Sequence, residues 1–159
     1  MKTLSDLLSI LSKSKIEFVV VGGFAGVLHG SSLVTRDLDL CTVLTPENID
    51  RLKLVLKDFH PKHRMTPNKL PFTNVPPAGQ ALNNLYLETD LGVVDFLATI
   101  TGLGDFKTVS ANAEEIEIHG NRILVMSLSD LIQTKEAMNR EKDRLAVKEL
   151  RAIQAKKKT

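Results

Sequence analysis

The chain has 159 residues, 43% hydrophobic and 25% charged, with a net charge of +2, a composition that fits one soluble globular domain with a core of its own. So small a charge does not by itself imply a nucleic-acid or membrane partner, and the single cysteine, Cys41, rules out an intrachain disulfide and fits a reducing cytoplasm. Apolar runs are too short to span a bilayer, and Met1–Lys15 does not read as a signal peptide, because Ser5, Asp6, Ser9 and Ser12 interrupt it.

Leu4, Leu7, Leu8 and Leu11 follow helical spacing, with Thr3 or Ser5 as N-cap. Ile16, Phe18, Val19, Val20 and Val21 form a run too short for an ordinary helix and rich in β-branched residues, which predicts a buried strand. Gly22-Gly23 then turns the chain and leaves no side chain over its backbone N–H groups. Phe24, Val27 and Leu28 recur at helical spacing, so those N–H groups lie at a helix N-terminus, a favourable place for phosphate. After His29-Gly30, a second strand opens with Asp37-Leu38-Asp39-Leu40. Alternation puts Asp37 and Asp39 on one face and Leu38 and Leu40 in the core. Two carboxylates on one face repel unless a cation lies between them, so an anion cradle stands next to a pair that demands a cation. Cys41, inside the same strand, reads as a small core residue.

Thr45-Pro46-Glu47 predicts a helix start, followed by an apolar stripe of Ile49, Leu52, Val55, Leu56 and Phe59 that runs to about residues 57–59. Residues 60–81 carry five prolines and no sustained period, and read as an irregular excursion; His60, Lys62, His63, Arg64 and Lys69 make it basic, as a solvated loop or as a flap over a polyanionic substrate. Leu85–Leu87 and Gly92–Ile100 predict a hairpin. Asp95 lies there among Val93, Val94, Phe96 and Leu97, where an ionised carboxylate needs either a metal or a basic partner. Glu115–Ile118 and Arg122–Met126 flank His119-Gly120-Asn121 as a second hairpin, with His119 a turn residue. Ser127 or Ser129 caps the next helix, in which Leu128, Leu131 and Ile132 face inward. A charged final helix has Leu145, Leu150 and Ile153 on one side and ends in Lys156–Lys158. The whole chain reads as one domain, with a core over about 16–126 and carboxy-terminal helices over about 127–155.

Gly22-Gly23, thirteen residues, then Asp37-Leu38-Asp39-Leu40 resembles the signature of the DNA polymerase beta-like nucleotidyltransferase superfamily. The longer string Gly22-Gly23-Phe24-Ala25, His29-Gly30 and Thr35–Leu40 is similar to its small bacterial branch, which includes the abortive-infection toxin type. Ser129–Lys135 and Arg140–Asp143 resemble that branch's carboxy-terminal pattern. Two positions depart from it: many members carry arginine at the place of Leu33 and a second acid at the place of Ala146.

The resemblance implies an α/β (α+β) nucleotidyltransferase fold, a mixed β-sheet packed by helices, with C-terminal helices closing a cleft. It implies metal-dependent transfer of a nucleoside monophosphate from an NTP such as ATP to a hydroxyl, with loss of pyrophosphate. Asp37, Asp39 and Asp95 would be the catalytic acids and the ligands of Mg²⁺ or Mn²⁺, with Asp95 also helping to remove the hydroxyl proton. Gly22, Gly23, Arg36 and Lys135 would hold the nucleotide. The acceptor is left open among tRNA, protein and small molecules, and a cognate antitoxin protein is the expected partner if the chain is a toxin.

Two other readings compete. A dinucleotide-binding βαβ unit also places glycines after a strand, but Gly22-Gly23-Phe24-Ala25-Gly26 lacks the Gly-x-Gly-x-x-Gly spacing, and its acid should end the second strand rather than open it. A non-catalytic relative that keeps the fold to bind nucleotide or a partner is the other; the presence of all three acids argues against it. A serine hydrolase is unsupported, since Gly-x-Ser-x-Gly does not occur.

Overall fold

The computed structural model describes residues 3–32, 34–72 and 83–157. The first helix, α1 (Leu4–Ser12), starts in a capping box: the Thr3 N–H donates to Asp6 Oδ2 at 2.6 Å. It buries Leu7, Leu8 and Leu11. Strand β1 (Val19–Val21) is shorter than the predicted run; Ile16 and Phe18 are buried but lie outside the ladder. Helix α2 (Gly22–Leu28) follows without a loop, then β2 (Asp37–Cys41). In α3 (Pro46–Leu56) the Thr45 hydroxyl accepts from the Asn48 N–H at 3.2 Å and proline occupies the first turn, so both expected start signals are in use. A 3₁₀ turn (Lys57–Phe59) extends it to His60, whose φ of 51° ends the helix.

The remaining elements are β3 (Lys62–His63), β4 (Asn84–Thr89), β5 (Gly92–Leu97), β6 (Thr99–Ile100), β7 (Gly104–Asp105), α4 (Phe106–Ala111), β8 (Glu114–Ile118), β9 (Asn121–Val125), α5 (Leu128–Met138) and α6 (Glu141–Lys157). Among the described residues seven strands form one sheet in the order β3-β4-β5-β2-β1-β9-β8. The sheet is mixed, as expected: β2 with β5 and β1 with β9 are parallel, and the other neighbours are antiparallel. Its central strands are the most apolar, with Val19, Val20, Leu38, Leu40 and Val94 all fully buried.

Several details differ from expectation. The inward face of α2 is Ala25, Gly26 and His29, while Phe24 and Leu28 are half-buried and Val27 is exposed. On α6 the buried residues are Asp143, Ala146 and Leu150; of the expected apolar side Leu150 is buried and Ile153 half-buried, but Leu145 is 62% exposed and Ala146 takes the buried place instead. The described part of the basic excursion is regular rather than a bare loop. Its β3 joins the sheet edge, and a tight return bonds the His63 N–H to the Leu70 carbonyl at 2.8 Å and the Phe72 N–H to the Pro61 carbonyl at 2.9 Å. Residues 73–82 of that excursion, and Leu33, lie outside the described residues. The small β6–β7 hairpin and α4, capped by Asp105 at the Thr108 N–H, carry too few apolar residues to stand out as a pattern. At the β8–β9 turn, His119 (φ 49°) and Gly120 (φ 81°) both take the left-handed conformation that a two-residue hairpin of this type needs, so His119 is the expected turn residue.

Candidate active site

The site begins where β1 becomes α2. Gly22 adopts φ +67°, and a Cβ built on it would lie 2.5 Å from Asp39 Oδ2. Only glycine fits both the backbone angle and the closeness of the acid. Gly23 has an ordinary φ, and a Cβ there would meet the Thr35 hydroxyl at 3.1 Å.

Strand alternation in β2 exposes Asp37, half-buries Asp39 and buries Leu38 and Leu40, so the two acids share the face that looks towards α5 and α6. Across the sheet, Val21, Asp39, Asp95 and Tyr86 lie in one row of paired residues. The register therefore sets Asp95 beside Asp39, as the sequence suggested. Burial, then the neighbouring charges of Asp95 and Asp37, push the Asp39 carboxyl up to about 6, against the opposing pull of Lys135 and Arg64. Burial likewise pushes Asp95 up, opposed by Arg64.

Arg64 was not singled out from the sequence. Its Nε donates to Asp95 Oδ1 at 3.1 Å and its Nη2 to Asp95 Oδ2 at 2.5 Å, while its guanidinium lies 5.2 Å from the Tyr86 ring centre. Asp95 thus has the basic partner that was the alternative to a metal. Both sequence readings of this residue meet in one place: it stands in the acid row and it carries a salt bridge.

The opposite wall is basic. Lys135 on α5 reaches into the cleft with its side chain 16% exposed, its Nζ 3.6 Å from Asp143 Oδ1. Asp143 is fully buried and accepts from Arg140 Nε at 2.6 Å, Arg140 Nη2 at 3.1 Å and the Arg140 N–H at 3.1 Å. The Arg140 hydrogen bonds hold its carboxyl below the usual range. Asp143 was legible only as part of a charged motif; its burial, which makes it the anchor of both cations, follows from the inward turn of α6. A second anchor is Glu149, whose carboxylate accepts from the hydroxyls of Ser31 and Ser32, each at 2.5 Å, and from the Ser32 N–H at 3.2 Å. It ties the loop between α2 and β2 to α6.

These walls enclose a cleft of about 380 Å³, lined among others by Gly22, Gly23, Asp37, Asp39, Asp95 and Lys135. Six of the seven residues expected at the site are therefore brought together. The seventh, Arg36, is exposed and does not line the cleft. A second cavity of about 350 Å³ meets the first at Gly22, Asp39, Lys135 and Arg140, and continues past Tyr86, Leu97 and Met138. Cys41 is buried, its thiol pushed up to about 12 by burial, and takes no part.

Whether the acids suit a divalent ion is decided by Asp39. Its carboxylate carries a cost of burial and like charge that Lys135 and Arg64 offset only in part and that a cation next to it would relieve, and hard oxygen donors match Mg²⁺ or Mn²⁺. Among the described residues no three acid, histidine or cysteine side chains converge on one point. The third acid, Asp95, is turned to Arg64. Asp37 and Asp39 fit the ion directly; Asp95 fits it only when released from its arginine.

The mixed sheet with its helices is the nucleotidyltransferase fold. No protein-family model matches the sequence, and no curated protein does. Solved structures do match in fold. One is a candidate nucleotidyltransferase from Thermotoga maritima (TM1012), with a TM-score of 0.56, 18% identity, and coverage of 92% of this chain and 88% of that one. Another is the lincosamide antibiotic adenylyltransferase LnuA bound to lincomycin, with a TM-score of 0.62, 15% identity, and coverage of 96% and 99%. A third is an antigenic nucleotidyltransferase-like protein from Paracoccidioides brasiliensis, with a TM-score of 0.51, 15% identity, and coverage of 94% and 71%. Among the described residues no helix is long and apolar enough to cross a membrane.

Proposed function

We propose that the chain is a metal-dependent nucleotidyltransferase that moves a nucleoside monophosphate from an NTP to a hydroxyl acceptor, releasing pyrophosphate. One observation carries this reading: the acid row Asp39–Asp95, with Asp37 beside it, faces Lys135 and Arg140 across a single cleft floored by Gly22 and Gly23. Divalent ions bound at such acids would supply charge neutralisation for an in-line displacement at phosphorus.

The residues of the chain would do the rest. Gly22 and Gly23 leave room for the triphosphate to approach the backbone, and Lys135 adds positive charge over it. Asp143 keeps Lys135 and Arg140 turned towards the cleft. Asp95, once released from Arg64, would help to take the proton of the incoming hydroxyl. The acceptor would enter through the second cavity, which meets the first at Gly22, Asp39, Lys135 and Arg140 and, beyond those shared residues, is lined by uncharged side chains such as Tyr86, Leu97, Thr99 and Thr134. A small-molecule hydroxyl suits that lining better than a nucleic-acid backbone, which calls for basic residues; LnuA, whose fold this chain shares, was solved with lincomycin bound. The toxin-like motifs make an antitoxin protein the partner to look for if the acceptor is tRNA or protein.

The test is direct. Purified protein with Mg²⁺ or Mn²⁺ and α-labelled NTPs should release pyrophosphate and label an acceptor, offered in turn as small hydroxylated molecules, tRNA and protein. Asp37→Asn should abolish the signal while its circular-dichroism spectrum stays unchanged. An active Asp37→Asn protein would overturn the metal-site assignment. The Arg64–Asp95 pair favours one second reading, a nucleotide-binding module without catalysis. That reading predicts NTP binding with no pyrophosphate release under any of these conditions.

A further inference from the structure

The third acid of the site is held by a residue from an unexpected part of the chain. Arg64 follows the short edge strand β3, and its own N–H donates to the Tyr86 carbonyl at 3.1 Å, which pins its backbone beside the acid row. From there the side chain engages both Asp95 oxygens in a two-pronged contact. Asp95 is nearly sealed, with 9% of its side chain exposed, but the Arg64 side chain is 26% exposed. The guanidinium can therefore withdraw into solvent without unfolding the strand that carries it.

A carboxylate engaged by both prongs of a guanidinium has little left to offer a divalent ion, and the two cations repel at such short range. Leaving either member of the pair buried and unpaired is costly, so neither is lost without a replacement.

We propose that Arg64 is a tethered counter-cation: it occupies Asp95 in the metal-free protein and is displaced when a divalent ion takes that position, so it sets the metal affinity of the site. This rests on the metal-dependent reading above and adds to it a positioning residue and a required movement. Arg64 stabilises the acid row while metal is absent and competes with metal for the third ligand. Its release would also give up its contact with the Tyr86 ring in the acid row, since the same guanidinium lies 5.2 Å from the centre of that ring.

The experiment measures Mn²⁺ binding to the full chain, without nucleotide, by the loss of the free-ion paramagnetic resonance signal. Wild type is compared with Arg64→Gln, Asp95→Asn, the double variant and Asp39→Asn, with thermal melts in chelator alongside. Arg64→Gln should bind Mn²⁺ at least ~5-fold more tightly yet melt at a lower temperature in chelator. The gain in affinity should vanish in the Asp95→Asn background, and the double variant should recover the melting temperature lost by Arg64→Gln. If Arg64→Gln folds poorly, Arg64→Lys provides the same comparison with a single-point contact and an intermediate gain. Wild-type or weaker Mn²⁺ affinity in the arginine variants would overturn the proposal, as would a gain that persists with Asn at position 95. The parent reading fails separately: it falls if Asp39→Asn binds Mn²⁺ as wild type does, or if no variant binds it.

Discussion

The backbone of Gly22 lies directly against the Asp39 carboxylate, with room for a hydrogen and nothing larger between them. The glycine turn and the acid row are consequently in close contact, so that a side chain at Gly22 would have to displace Asp39. The two glycines of the turn, identical in sequence, should therefore respond differently to substitution.

Gly22→Ala has to place a methyl group 2.5 Å from Asp39 Oδ2 in a backbone conformation that costs an L-residue about 1–2 kcal/mol. Asp39 must move, so NTP–metal affinity should fall at least ~10-fold, roughly 1.4 kcal/mol. Gly23→Ala meets only the Thr35 side chain at 3.1 Å and should keep most of the affinity, whereas Gly23→Val, with its stiff branched side chain, should not. Calorimetric titration with NTP and Mg²⁺ distinguishes them. Equal losses in the two alanine variants would contradict the asymmetry.

Asp39 gives a pH signature. Its carboxyl is raised from 3.8 to about 6 by folding, so the folded chain gains stability below about pH 4 that is lost as the pH rises through 6. The full amplitude is of the order of 3 kcal/mol, with Asp95 acting in the same direction. Asp39→Asn removes the Asp39 part. In chelator it should be more stable than wild type at pH 7, and the two curves should converge near pH 4. Urea denaturation across that range checks this, and a variant less stable than wild type at pH 7 would refute it.

Asp143 has the opposite sign. The Arg140 hydrogen bonds depress its carboxyl, so its contribution is present above about pH 4 and lost as pH falls through the depressed value. Asp143→Asn should cost about 2 kcal/mol at pH 7, because Arg140 loses charged hydrogen bonds but can still reach water. NTP affinity should fall as well, although Asp143 does not line the cleft. In a double-mutant cycle with Lys135→Met the two losses should be less than additive, since both act on the same cation. Strict additivity would mean that Asp143 does not position Lys135.

Lys135→Met on its own should weaken NTP binding at least ~10-fold, again roughly 1.4 kcal/mol, and should lower the melting temperature in chelator more at pH 7 than near pH 4. It should also raise the Asp39 carboxyl further, because Lys135 is one of the charges that lower it. Moving the stability transition of the previous experiment to higher pH would confirm the link between the two walls, and an unmoved transition would break it.

How much of this was legible in the sequence depended on whether the signal was local. Val19–Val21, Gly22-Gly23 and Asp37–Leu40 each carry their own period or turn chemistry, and Asp95 stands out as an acid in an apolar strand. Individual strands and helices follow from these signals, while the mixed sheet that joins them follows from the family resemblance the same residues carry. Arg64 does not stand out: in a basic stretch with His60, Lys62, His63 and Lys69, nothing marks the one residue that the β3–β4 register sets beside Tyr86, from where its side chain reaches Asp95 on the next strand. The buried side of α6 was misread for a related reason. Leu145 is the more apolar residue, but Ala146 is what the spacing from Asp143 to Leu150 keeps on the buried side, where it lines the cleft. Arg36 was included through its motif, yet strand alternation points its neighbour Asp37 into the cleft and leaves Arg36 outside.

The clasp between Ser32 and Glu149 joins residues 117 positions apart. Next to it the Ser31 N–H donates to the Gly26 carbonyl of α2 at 2.9 Å, whereas the Ser32 N–H donates to Glu149 of α6. The Ser32 amide hydrogen is thus protected from exchange with solvent only while α6 is docked. In a deuterium-exchange experiment that single amide, far from α6 in the chain, should exchange with the undocking of the helix and slow further when nucleotide closes the cleft.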